Sequence, residues 1–139
     1  MPLNAALLTT LRWSALIGGL IIIVDLATHA LLQRMTGDAD VLAELGNANT
    51  IANVVLFSIL GAVVARQTGI WYLSALAGLI AALLDGIVVA TAASMAPPPG
   101  EAMPIDMYLA QNIIIGTVPA AVSGFVSSLV ERFSRSRPR

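Results

Sequence analysis

The chain contains no cysteine. A disulfide framework, a thiolate nucleophile and a cysteine-ligated metal are therefore excluded, and cysteine usage gives no reading of redox compartment. Lysine is also missing: all seven basic residues are arginines, set against eight acids and a single histidine, His29. Charged residues make up 11% and aromatic residues 5% of the 139 positions, whereas a soluble domain carries about a quarter charged residues. There is no Gly-rich phosphate loop and no His-Glu-x-x-His pair, and the serines with one remote histidine define no triad. Nucleic-acid binding has nothing behind it beyond a short arginine tail.

What fills the chain is apolar: 58% of residues are hydrophobic, with a mean hydropathy of +0.87. The few charges fall almost entirely between long apolar segments, the pattern of an all-α membrane protein. The sequence predicts one four-helix transmembrane domain over residues 1–139, with spans near 13–32, 50–65, 71–95 and 107–130 forming two helical hairpins. Met1 to Leu11 reads as a short amphipathic start, Arg12-Trp13 as an interfacial anchor and Trp71-Tyr72 as an aromatic belt pair. Residues 34–49 read as a polar loop, with room for a short helical turn from Ala39 to Leu45. Arg66-Gln67-Thr68-Gly69 reads as a tight turn, Pro97, Pro98, Pro99 and Pro104 as a stiff loop, and Pro119 as a kink in the last helix. An alternative for the first span is a signal peptide with Thr28-His29-Ala30 as its cleavage site. Asp25 and His29 interrupt the apolar run that such a peptide needs.

The arginines set the expected orientation. With four spans, Arg12, Arg66 and the tail at 131–139 share one side, leaving Arg34 on the other. The positive-inside rule then places both termini in the cytoplasm, of a bacterial plasma membrane in the expected case. The opposite loops carry Asp38, Asp40, Glu44, Glu101 and Asp106, so the outer face is acidic.

Two carboxylates lie inside the apolar runs, and a charged residue at bilayer depth costs roughly 2.5–3.5 kcal/mol on insertion scales. They recur at one spacing: Ser14-Ala15-Leu16-Ile17-Gly18 leads on to Asp25, and Ser74-Ala75-Leu76-Ala77-Gly78 leads on to Asp85. The following helices align as Asn53-Val54-Val55-Leu56 against Asn112-Ile113-Ile114-Ile115. Each half is then a hairpin bearing an Asp and an Asn, the arrangement of a parallel internal repeat. Depth agrees: Asp25 lies thirteen residues from Arg12, Asn53 thirteen from Arg66 and Asp85 fourteen from Trp71. At 1.5 Å per residue all three sit roughly 20 Å from the cytoplasmic edge. Thr117 falls near the same level.

The expected site is therefore Asp25, His29, Asn53, Asp85, Asn112 and Thr117, handling a proton, cation or small solute in a transporter- or channel-like protein. His29 follows Asp25 by one helical turn, where an Asp–His pair can relay protons. The structural alternative is that Asn, Ser and Thr partners cap the two carboxylates and lock helix register. Two other functions fit the same residues. One is an accessory subunit of a larger membrane complex, touching a pigment, haem or quinone through His29; the other is an intramembrane aspartyl hydrolase using the two Asp as a dyad. No particular cofactor is indicated; a homo-oligomer or a subunit role is expected because four short helices enclose little volume. In size and span count the chain resembles small multidrug-resistance transporters and fluoride channels. The early first-helix glutamate of the former and the Gly-rich arginine signature of the latter are both missing.

Overall fold

The computed structural model describes residues 1–35, 39–95 and 104–135, without the side chain of Arg135. Asp38, the prolines at 97–99, Glu101 and the tail arginines Arg137 and Arg139 lie outside the described residues. Four helices make up the rest: α1 (Leu3–Arg34), α2 (Ala39–Thr68), α3 (Tyr72–Met95) and α4 (Ile105–Arg135), with no strand among the described residues. Each contains a window long and apolar enough to cross a membrane. At 24 to 32 residues they extend about 36 to 48 Å, against a hydrocarbon core of about 30 Å.

The helices therefore run well past the apolar spans that the sequence marks out. Helix α1 starts directly after Pro2, whose carbonyl accepts the Ala6 N–H at 3.1 Å, a position where proline's missing N–H costs nothing. Ala6 and Thr10 are fully buried, which ties the first turns of α1 into the bundle. Of the segment expected as a polar loop, all from Ala39 onward is helix. Alanine, leucine and glutamate there favour helix, and Asp40 in the first turn of α2 complements its dipole. Helix α4 passes through Pro119 as one helix. The turn after α2 is the expected one, displaced to its end. Thr68 closes the helix by donating to the Val64 carbonyl at 2.7 Å. Gly69 then takes the left-handed conformation, φ +71°, as residues just past a helix C-terminus commonly do.

Packing places α2 and α3 in contact with every other helix, while α1 and α4 touch only those two. The seams are built of small residues, which let backbones approach where no hydrophobic force draws helices together in lipid. A methyl group added to Gly18 would lie 3.2 Å from the Ala81 Cβ, and one on Gly78 would lie 2.5 Å from the Gly116 carbonyl oxygen. Gly61 abuts the Ala120 carbonyl, and Gly124 abuts Ser74. Hydroxyls bridge the same seams: Ser14 donates to the Ala77 carbonyl at 3.2 Å, Ser74 to Gly61 at 2.8 Å and Ser123 to Ser58 at 2.7 Å. The core holds Ile21, Phe57, Leu60 and Val64. The outward faces carry exposed Leu16, Ile23, Ile51, Val55, Ile87, Ile114 and Val122, an apolar surface suited to lipid.

Candidate functional site: a carboxylate pair in the bundle core

Helices α1 and α3 each bring one aspartate into the core. Asp25 is 5% exposed and Asp85 fully enclosed. The two carboxyl groups face one another within hydrogen-bonding reach. Each is held by amides from the next helix along the chain. Asp25 Oδ1 accepts from Asn49 Nδ2 at 2.7 Å and from Asn53 Nδ2 at 2.8 Å. Asp85 Oδ2 accepts from Asn112 Nδ2 at 2.7 Å. Asn49 is steadied in turn by the Thr28 hydroxyl, which donates to its Oδ1 at 3.0 Å.

Local sequence explains the reach on each side. Asn49 and Asn53 are four residues apart, so they share one face of α2 and meet the same oxygen. On the other side Gly86 follows Asp85, and a methyl there would meet Leu109 Cδ2 at 2.7 Å and Asn112 Nδ2 at 3.4 Å. The glycine lets α4 come close enough for Asn112 to bond Asp85. Tyr108 stands one turn before Asn112, half-buried and within electrostatic reach of both carboxylates. With the offset of 59 residues that aligns Asn53 with Asn112, Tyr108 is the counterpart of Asn49.

Amides supply only part of what two adjoining carboxyl groups require. Asp85 Oδ1 and Asn53 Oδ1 are buried and accept no hydrogen bond from the protein. Arg12, Arg34, Arg66 and Arg132 are all exposed, and no arginine occurs between Arg12 and Arg34 or between Arg66 and Arg132. Two carboxyl groups this close are compatible when a proton or another positive charge lies between them.

Of the residues expected from sequence, Asp25, Asn53, Asp85 and Asn112 come together. Asn49 joins them and was missed as a ligand, although it lies four positions before an asparagine already singled out; Tyr108, four positions before Asn112, lies within electrostatic reach of the pair. His29 is half-buried at the Asp25 end of α1, with its Nε2 3.0 Å from Gln33 Nε2. Among the described residues no group of three or more His, Asp or Glu side chains forms a metal site, so His29 does not complete one with the aspartates. The Thr117 hydroxyl is buried without a hydrogen-bond partner, five residues past Asn112; nothing ties it to the carboxylates.

No protein family, curated protein or solved structure matches the chain.

Proposed function

We propose that this is a multi-pass membrane protein, transporter- or channel-like, in which the Asp25–Asp85 pair takes up and releases a positive charge, a proton or a cation, from the outer side. The observation that carries the reading is the meeting of two enclosed carboxylates in a core where, among the described residues, no arginine is buried. Purely structural carboxylates would be expected to meet their hydrogen-bond needs fully, as buried polar groups generally do. Here one oxygen of Asp85 is left over. Enclosure also favours ion exchange over peptide hydrolysis, because a scissile carbonyl would have to reach both carboxyls and Asp85 has no exposed surface.

In this reading both termini are cytoplasmic and the halves form a parallel repeat. Support comes from places where equivalent positions meet, as they do beside a two-fold axis. Asp25 faces Asp85, Phe57 packs on Gly116, and Gly61 abuts Ala120. The Trp13 indole N–H donates to the Gln67 side-chain oxygen at 2.8 Å, which keeps Arg12 and Arg66 at one end of the bundle.

The test is ion flux into liposomes carrying the full chain, compared with Asp25→Asn and Asp85→Asn, which preserve shape and remove charge. Each substitution is expected to abolish pH-dependent flux, on the order of a hundredfold or more given the energies of intramembrane charge. Full activity in both variants would sink the carboxylate mechanism.

A further inference from the structure

Ion handling by the pair leaves open which ion, and the unpartnered oxygens bear on that choice. Asn53 presents its Nδ2 to Asp25; reversing the amide would set its carbonyl oxygen against a carboxylate oxygen, so the orientation is dictated by the bond it makes. Asn53 Oδ1 therefore points away from the oxygen that its Nδ2 serves. It belongs to a side chain 5% exposed, and it accepts nothing. Asp85 Oδ1 is likewise a buried acceptor without a donor, on a side chain with no exposed surface. One proton placed between Asp25 and Asp85 turns one carboxyl oxygen into a donor. That single donor satisfies one acceptor, and the second is still unmatched. A small cation differs, since it can be approached by several oxygens at once.

We propose that Asp25, Asp85 Oδ1 and Asn53 Oδ1 form a binding site for a dehydrated monovalent cation of sodium size, taken up in exchange for the proton the two carboxyls otherwise share. The assignment rests on the ion-handling reading above. A divalent ion fits less well, because replacing the single shared proton with two positive charges would change the charge of the buried core. Exchange keeps the charge of the core constant, which matters for groups buried this deeply. The groups facing the pair are few. Among the described residues these are the Asn112 amide and the Tyr108 phenol from α4 and the amides of Asn49 and Asn53 from α2, with the His29 ring one turn along α1 from Asp25. None carries a fixed positive charge that would compete with the cation.

The experiment is equilibrium binding of radiolabelled sodium to the full chain in detergent micelles across a pH series, with proton release followed on sodium addition in weak buffer. Expected are saturable binding, one proton released per ion, and affinity falling about tenfold per pH unit on the acid side, as one-for-one exchange requires. Asn53→Leu is expected to weaken sodium binding at least tenfold. The unsubstituted protein alone decides the main question, whatever the stability of the variants. No saturable sodium binding at any pH, with proton flux still dependent on Asp25 and Asp85, overturns the cation site and leaves the carboxylate mechanism standing. Absence of binding together with unchanged flux in Asp25→Asn and Asp85→Asn overturns both.

Discussion

At the scale of single residues the two aspartates are not equivalent. Asp25 receives two amide N–H groups on one oxygen, while Asp85 receives one, from Asn112. A hydrogen bond to a charged group contributes about 1.5–3 kcal/mol, and a buried acceptor left without its donor bears the desolvation cost in full. Asn112→Leu is therefore expected to lower stability by about 2–3 kcal/mol, and Asn49→Leu or Asn53→Leu by about 1 kcal/mol each, because the remaining amide still serves Asp25. Thermal unfolding of the full chain in detergent reads this order; a larger loss for Asn49→Leu than for Asn112→Leu would contradict the donor assignment. The aspartates and their buried asparagines were legible in the sequence because polar residues within apolar runs stand out and these recur at matched spacing. Tyr108 was not, because the repeat was aligned by chemistry, and a phenol opposite Asn49 does not look like a match.

At the scale of elements, the existence of four helices was readable and their extents were not. Hydropathy marks the lipid-facing middle of a helix, and it says little about ends such as Leu3–Leu11 or Ala39–Asn49, where helix-forming residues continue the backbone ladder beyond the apolar run. The seams carry a sharper test. Gly61, Gly78, Gly116 and Gly124 each meet a neighbouring helix where a methyl would lie closer than real Cβ atoms stand, whereas Gly19 and Gly46 have nothing within 4 Å. Overpacking a tight core costs about 1–3 kcal/mol, and alanine is favoured over glycine within a helix by about 0.5–1 kcal/mol. Gly61→Ala and Gly124→Ala are thus expected to be destabilising, and Gly46→Ala neutral to stabilising. The unfolding midpoint of each variant in detergent checks the sign; a tolerated Gly61→Ala would mean that α2 and α4 do not approach as closely as described.

At the scale of the whole molecule, the direction in which the core opens depends on how the bundle sits in the bilayer. The end that carries Arg12, Arg66 and Arg132 is basic, and the opposite end carries Asp40, Glu44 and Asp106 against Arg34. Asp25 lies nearer the acidic end of α1 than the basic end, nine residues from Arg34 and thirteen from Arg12. A cation approaching from that side meets negative charge first, which raises its local concentration and its rate of arrival. In the proposed orientation, with the arginine-rich ends kept in the cytoplasm during insertion, the acidic end would face outward. The lack of native cysteine makes this directly measurable. Met35 and Gln67 are exposed at opposite ends, just after α1 and near the end of α2 respectively. In sealed cells treated with a membrane-impermeant maleimide, Met35→Cys is expected to be labelled and Gln67→Cys to be labelled only after permeabilisation. The reverse pattern would invert the orientation and turn the acidic mouth toward the cytoplasm, making the pair a site loaded from inside. Labelling of both from one side would remove the four-span topology itself, and with it the placement of Asp25 and Asp85 within the bilayer.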